Sequence, residues 1–554
     1  MEKIWLRHYP AGVPAEIDPG KYANIPEIFS NSVSRFGNLP AYSNLGRVLT
    51  FDELDALSRD LAAWFVGEAG LKQGDRIALM MPNLLQYPVA MFAALRAGLV
   101  VVNVNPLYTS RELEHQLRDS GAVAIVILEN FADKLATVIG NTDVRRVITT
   151  QVGDLAGFPK SALVNFVVKR VKKMVPPFSL PGAVRFPQAL KAGRGAAFAD
   201  ASPAPEDTAF LQYTGGTTGV AKGAELTHRN MVANMLQAHA WATTKLDEGE
   251  EVFIAALPLY HIFALTANVL FGLELGAKNV LITNPRDFSG FVKTLEKEKF
   301  SFFTGVNTLF NALMETPGFS DLDFSHLKVT LGGGMAVQAP VAARWKAVTG
   351  NTLTEAYGLT ETSPAVCINP LDLEQFNGMI GLPLPSTEVE VRDDENRTLP
   401  LLTQGELCVR GPQVMRGYWN RPEETAKVLD PDGWLHTGDV ALINEEGFVK
   451  IVDRLKDMIN VSGFNVFANE VEEVIAAHEK VLEVGVVGVP DEHSGEAVKA
   501  YVVCKDVSLT EDELKAYCHE QLTAYKCPKF VSFIDELPKT NVGKVLRRAL
   551  REMA

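Results

Sequence analysis

The run Tyr213, Thr214, Gly215, Gly216, Thr217, Thr218, Gly219, Val220, Ala221, Lys222, Gly223 gathers glycines, hydroxyls and one ammonium group into a single loop. Glycines let the backbone turn sharply and bring its N–H groups close to phosphate oxygens, while the threonines and Lys222 add donors and positive charge. The chemistry this predicts is the holding of a polyphosphate such as ATP. A Walker A loop runs glycine, lysine, then serine or threonine, whereas here Val220 and Ala221 separate Gly219 from Lys222, and Gly223 follows. The loop is therefore not that of an ordinary P-loop NTPase. A plain surface turn is the alternative reading, but turns seldom combine this many phosphate donors with a lysine.

Five further groups extend the chemistry. Gly332, Gly333 and Gly334 follow the strand-like Val329, Thr330 and Leu331, and so bare a backbone lets a flat ring such as adenine approach. Tyr357, Thr360 and Glu361 then offer an aromatic face, a hydroxyl for phosphate and a hard oxygen ligand for the magnesium that accompanies ATP. Asp439 ends the run Gly433, Trp434, Leu435, His436, Thr437, Gly438, and its carboxylate is able to accept both hydroxyl protons of a ribose. Arg454 and Lys456 lie near an expected domain boundary, and Lys544 stands close to the C-terminus. Lys544 reads alternatively as plain surface charge beside Arg547, Arg548 and Arg551.

The elements that position these groups follow from pattern. Residues 76–81, 100–105 and 122–128 read as strands within a helical alternation, and Thr109 with Glu112 forms a capping box opening the helix between the last two. This is parallel α/β layering, and it resumes over residues 205–370. After Asp393, Asp394, Glu395 and Asn396 shorter β segments with glycine turns take over, at 406–411 and 448–453. From 456 to 554, helical stretches 469–478 and 511–522 surround strand-like 484–489 and 500–504, an α+β unit of domain size. The fold class expected is α/β, with a large multi-subdomain N-terminal domain at 1–455 and a small C-terminal domain at 456–554.

The 554 residues exceed what one core organises. With 47% hydrophobic and 22% charged residues the usage is that of a soluble globular protein, and a net charge of −14 argues against nucleic acid as a partner. Five cysteines form no zinc or Cys-x-x-Cys pattern, which suits a reducing, cytoplasmic compartment, and the N-terminus lacks a secretory signal. The apolar stretch 252–273 is broken by Pro258, Tyr260, His261 and Asn268, so buried core elements are expected there rather than a membrane span.

One segment opposes the charge of the whole. Over residues 163–175, Leu163, Val167, Val171 and Val175 recur every fourth position while Lys169, Arg170, Lys172 and Lys173 fall across the other side, with Pro176 and Pro177 as a stop. Such a helix either packs its apolar face on its own domain, the reading slightly favoured, or lies on anionic lipid at the inner face of the cytoplasmic membrane.

Taken together these motifs resemble the adenylate-forming superfamily, and specifically bacterial long-chain fatty-acid–CoA ligases. The resemblance covers essentially the whole chain, including Trp5 with Tyr9 and Pro10, the stretches 79–83, 102–108, 258–265 and 461–466, and the more specific block 432–472. It implies a two-step reaction. A fatty acid carboxylate attacks ATP to give acyl-AMP and pyrophosphate, and coenzyme A then displaces AMP. Residue by residue it implies Tyr213, Thr214, Gly215, Gly216, Thr217, Thr218, Gly219 and Lys222 around the β- and γ-phosphates, and Tyr357 with Gly332, Gly333 and Gly334 around adenine. Thr360 would meet the α-phosphate, Glu361 would hold Mg2+, and Asp439 and Arg454 would meet the ribose. Lys544 would be the catalytic lysine on a mobile C-terminal domain, Lys456 its hinge, and Gly463 part of the coenzyme A channel. His261 would lie near the substrate carboxylate, a buried core histidine being the other reading, and Gly305 and Val306 would line the acyl tunnel. Where some relatives carry a gating tryptophan this chain has Leu265, so that gate is not carried over. Dimerisation is a family-level expectation. The rival reading is a fatty-acyl-AMP ligase that delivers the acyl group to a carrier protein; a non-catalytic nucleotide-binding membrane protein fits the residues less well.

Overall fold

The computed structural model describes residues 2–214, 221–491, 493–540 and 543–553. Among them the chain forms four sheets. In the first, strands Arg76–Met80, Val100–Asn103, Ala124–Leu128 and Arg146–Thr150 run parallel with Thr208–Thr214, and Lys222–Thr227 returns antiparallel along the last of these. The second has Val252–Ala255, Lys278–Leu281, Phe302–Gly305, Val329–Gly333 and Leu353–Gly358 in parallel. Their strands are apolar on both faces because helices or the other sheet cover both sides. Helix Gln86–Arg96 is buried along its whole length. At its start, the Tyr87 hydroxyl lies 2.8 Å from Asn103 Oδ1 and 3.0 Å from the Leu259 carbonyl, tying the helix to the first sheet and to the segment that follows strand Val252–Ala255 of the second.

The expected local signals are present. Thr109 and Glu112 cap helix Ser110–Ser120 reciprocally, and residues 252–273 break into a strand and short helical turns. No helix among the described residues is long and apolar enough to cross a membrane. All five cysteines are free.

A third sheet, Glu388–Arg392, Gly405–Arg410, Leu435–Ile443 and Val449–Arg454, is antiparallel. Beyond it Ile459–Val461, Phe464–Val466, Val481–Asp491, Gly495–Cys504 and Phe530–Phe533 form the fourth. Helices Ala468–Ala476 and Glu511–Gln521 pack on this sheet around Val471, Ile475, Val486 and Leu514, a core of its own.

Segment 163–175 departs from expectation. An α-helix, Lys160–Phe166, gives way to a π-helical turn, Val167–Val171, and neither contains a buried residue. A π turn closes i to i+5 and shifts each later side chain around the axis, so the fourfold spacing does not yield one apolar stripe. Leu163 and Val171 face solvent (each 63% exposed), as do Phe166, Met174 and Phe158. Val167 and Val175 are half-buried. Lys169 pairs with Glu129 at 3.1 Å. Leu163 and Val171 therefore do not pack on their own domain as the slightly favoured reading expected, whereas Val167 and Val175 are covered in part.

Candidate active site

The candidate residues come together where strand ends of the second sheet, the third sheet and the C-terminal unit meet. Antiparallel pairing of Asp439 with Arg454 sets two charged side chains at one end of the third sheet. Asp439 is 3% exposed; its Oδ2 accepts the Tyr357 hydroxyl at 2.6 Å and its Oδ1 lies 3.2 Å from Arg454 Nε. Burial raises the Asp439 carboxyl, with Arg454 opposing that shift. Burial likewise pushes the Tyr357 phenol up, and the Asp439 charge adds to it. Tyr357, Asp439 and Arg454 are thus one cluster, although they lie far apart in sequence.

Lys544 enters from the C-terminal unit. Its own N–H donates to Thr540 Oγ1 (3.1 Å), and the Thr540 N–H donates to its carbonyl (2.7 Å), forming a tight turn whose Gly543 carbonyl accepts the Thr308 hydroxyl at 3.0 Å. A Cβ on Gly334 would stand 3.2 Å from Lys544 Cε, and one on Gly543 would stand 3.1 Å from Val306. Burial pushes the Lys544 ammonium down to about 8, with Arg454 adding to the shift and Asp439 and Glu361 opposing it. Lys544 also helps hold His261 neutral, its pKa pushed down to about 3 mainly by burial. His261 Nδ1 accepts the Phe263 N–H at 3.3 Å. Lys544 and His261 are both half-buried.

The glycines are filled by protein in this conformation. A Cβ on Gly332 would meet Leu353 (2.7 Å) and Val337 (2.9 Å), and one on Gly333 would meet Phe263 at 3.0 Å. One on Gly305 would stand 2.5 Å from the Phe310 ring, so Gly305 accommodates Phe310 here.

The two ends of the 213–223 run are described. Thr214 pairs with Lys222 across the hairpin; Gly215, Gly216, Thr217, Thr218 and Gly219 lie outside the described residues. The Tyr213 hydroxyl is committed to Asp119 at 2.8 Å, which turns that ring into the scaffold. Thr360 and Glu361 occupy the 3-10 turn Thr360–Thr362 directly after strand Leu353–Gly358. The Glu361 carbonyl accepts the Met415 N–H (2.8 Å) and its Oε1 the Tyr418 hydroxyl (2.7 Å). Glu361 forms no ion pair among the described residues, so its hard carboxylate oxygen suits a cation such as Mg2+.

Lys456 sits on the turn Leu455–Asp457. Gly463 is at an exposed hairpin tip (φ +86°), with nothing within 4 Å of where its Cβ would stand, so it belongs to no packed site here. Tyr418 and Glu424 touch Glu361 and Lys222 but carry no motif of their own. No local spacing could have revealed them.

A large and a small domain thus bring Lys544 near the Tyr357, Asp439 and Arg454 cluster, and the comparisons give the class of enzyme that has this build. The AMP-binding enzyme family matches residues 29–419, and the AMP-binding enzyme C-terminal domain matches 470–544. The chain belongs to this family. A long-chain-fatty-acid–CoA ligase of Yersinia pestis is 58% identical over 552 residues, covering 100% of this chain and 98% of the relative. In fold, the chain is similar to the anthranilate CoA ligase AuaEII in complex with anthranoyl-AMP (TM-score 0.86, 24% identity, 97% of this chain and 99% of the other). It is also similar to ATP-bound MatB from Rhodopseudomonas palustris (TM-score 0.82, 29% identity, 96% and 99%).

Proposed function

We propose that the chain is a long-chain fatty-acid–CoA ligase that forms acyl-AMP from a fatty acid and ATP and then passes the acyl group to coenzyme A. The observation that carries the reading is the seating of Lys544 at Gly334, near Glu361, Asp439 and Arg454. The full-length likeness to a ligase of that name supports the same substrates. A carboxylate oxygen attacks the α-phosphorus, the α–β anhydride bond breaks and pyrophosphate leaves with the electron pair. The coenzyme A thiol, losing its proton, then attacks the acyl carbon and AMP leaves. Such chemistry is mainly positioning and charge stabilisation. Lys544 spans the attacking carboxylate and the α-phosphate, which Thr360 also contacts. Tyr357 faces adenine beside the Gly332–Gly334 backbone. Asp439 and Arg454 hold the ribose, and the Thr214 to Lys222 loop grips the departing pyrophosphate. Neutral His261 is a hydrogen-bonding partner for the substrate carboxylate rather than a charge, and Gly305 and Val306 border the acyl path. Glu361 would hold Mg2+, which neutralises phosphate charge when bound.

The division falls near Lys456, with 1–455 binding ATP and fatty acid and 456–554 carrying Lys544. Rotation there withdraws Lys544 and brings exposed Gly463 toward the coenzyme A path. AMP release with ATP, magnesium and coenzyme A, measured across acids from short to very long, tests the function. Release confined to short acids would overturn the long-chain reading; acyl transfer to a carrier protein but not to coenzyme A would favour the acyl-AMP ligase alternative.

The exposed segment 158–174 supports peripheral contact with anionic lipid. Phe158, Leu163, Phe166, Val171 and Met174 are exposed together, and Lys160, Lys169, Arg170, Lys172 and Lys173 accompany them with no acidic residue between. Each basic residue near an anionic surface is worth about 1 kcal/mol. Replacing Arg170, Lys172 and Lys173 with glutamine is therefore expected to weaken flotation with phosphatidylglycerol-containing vesicles by roughly a hundredfold. Phe166→Ser should weaken it in high salt as well. Unchanged flotation of both variants would remove this segment as the docking element.

A further inference from the structure

Tyr418 belongs to the two-residue strand Gly417–Tyr418, which pairs antiparallel with Lys222–Thr227. Neighbouring main-chain bonds fix its position: the Trp419 N–H donates to the Gly223 carbonyl at 2.8 Å, and the Tyr418 N–H donates to Thr425 Oγ1 at 2.9 Å. From there one side chain touches two charged groups. Its hydroxyl donates to Glu361 Oε1 at 2.7 Å, and Lys222 Nζ stands 5.0 Å from its ring centre. Glu361 is also tied to the segment just before the strand, its carbonyl accepting the Met415 N–H.

We propose that Tyr418 is a positioning residue that fixes the spacing between Lys222 and Glu361, so that a magnesium-complexed triphosphate meets the ammonium and the carboxylate in register. This rests on reading the chain as an ATP-dependent ligase.

The two contacts act differently. The phenol pins one Glu361 oxygen and leaves Oε2 to face a hard cation, restricting a side chain that otherwise has several rotamers. The ring face attracts the ammonium through its quadrupole without neutralising it, so the full charge stays available to a phosphate. Lys222 also pairs with Glu424, which lies four residues beyond Trp419's neighbour Asn420 and shares its carboxylate with Lys427. Both members of the Lys222–Glu424 pair are about a third exposed. Water screens such a pair, so an incoming polyphosphate displaces Glu424 readily while the ring contact stays.

ATP binding to Tyr418→Phe and Tyr418→Leu, measured by calorimetry with magnesium and again with EDTA, tests the proposal without turnover. Loss of the hydroxyl alone is expected to remove roughly tenfold of the affinity gained from magnesium and to leave affinity in EDTA unchanged. Tyr418→Leu also loses the ring face and should weaken binding in both conditions. A Tyr418→Phe protein that keeps the whole magnesium gain overturns the proposal. So does one weakened equally with and without magnesium alongside a lowered melting temperature, the signature of a merely structural ring. If the unsubstituted protein binds no ATP, or gains nothing from magnesium, the ligase reading or the Glu361 assignment falls first and takes this proposal with it.

Discussion

Lys544→Ala is expected to slow acyl-AMP formation by about a hundred- to a thousandfold, the usual effect of removing one group aimed at developing charge in an enclosed site. Thioester formation from supplied acyl-AMP should be largely spared. The separation follows from where the lysine sits. Its turn is braced against the helix Asn307–Met314 by the Thr308 hydroxyl on the Gly543 carbonyl, which aims the ammonium toward Gly334. After adenylation the proposed hinge withdraws it. Pyrophosphate release and thioester appearance, measured separately, read the two halves; equal losses in both would sink the assignment.

A pH profile gives the same residue a second signature. The charged form is the one that stabilises negative charge, and burial pushes Lys544 down to about 8. The cation therefore predominates below that value and is lost above it. The adenylation kcat/KM, which reports the free enzyme, should fall as pH rises through about 8, and this limb should be absent from thioester formation. His261, neutral throughout because its pKa is pushed down to about 3, contributes no competing limb in that range.

Sequence and structure agree where the determinant is local. The Thr109 and Glu112 capping box needs only a spacing of three residues, and it forms as read. The same holds for the apolar parallel strands, whose β-branched runs are short and continuous. Tyr357, Asp439 and Lys544 could be named from their runs, but that the phenol would donate to Asp439, and that Gly334 would meet Lys544, depends on pairing between distant strands and on the packing of the C-terminal unit. Tyr418 had no signal at all, since its partner Glu361 is 57 residues away. Gly305 is legible as a small residue, but that the Phe310 ring of the next helix lies 2.5 Å from where its Cβ would stand is a matter of packing that no local pattern carries. Segment 163–175 misled because fourfold spacing assumes an α-helix throughout, and a π turn replaces it after Phe166.

Arg547→Met should destabilise the C-terminal unit by about 3–5 kcal/mol, the range for removing one partner from a buried ion cluster. Its guanidinium holds three carboxylates at once: Asp453 at 3.2 Å, Asp457 at 3.4 Å and Glu472 at 2.8 Å, with Asn469 at 2.6 Å. Methionine fills similar volume but leaves these anions facing one another, with only Arg551 still on Asp457 at 2.6 Å. Burial already raises the Glu472 carboxyl even with Arg547 beside it, and the variant removes that opposing cation. A carboxyl whose pKa is raised on folding binds protons more tightly in the native state. Stability is then fully present below its unfolded value and is lost as pH rises through the folded one. The variant's melting temperature should thus recover on mild acidification relative to the unsubstituted protein; a deficit independent of pH would show that lost packing, not unpaired charge, is the cause. The same cluster bears on the hinge. Asp453 precedes Lys456 in the chain, whereas Glu472 and Arg547 follow it, so the rotation proposed at Lys456 would part Asp453 from Arg547 while Glu472 stays. Asp453→Asn, milder than loss of the arginine, should for that reason slow adenylation more than thioester formation, and the reverse order would place the pivot elsewhere.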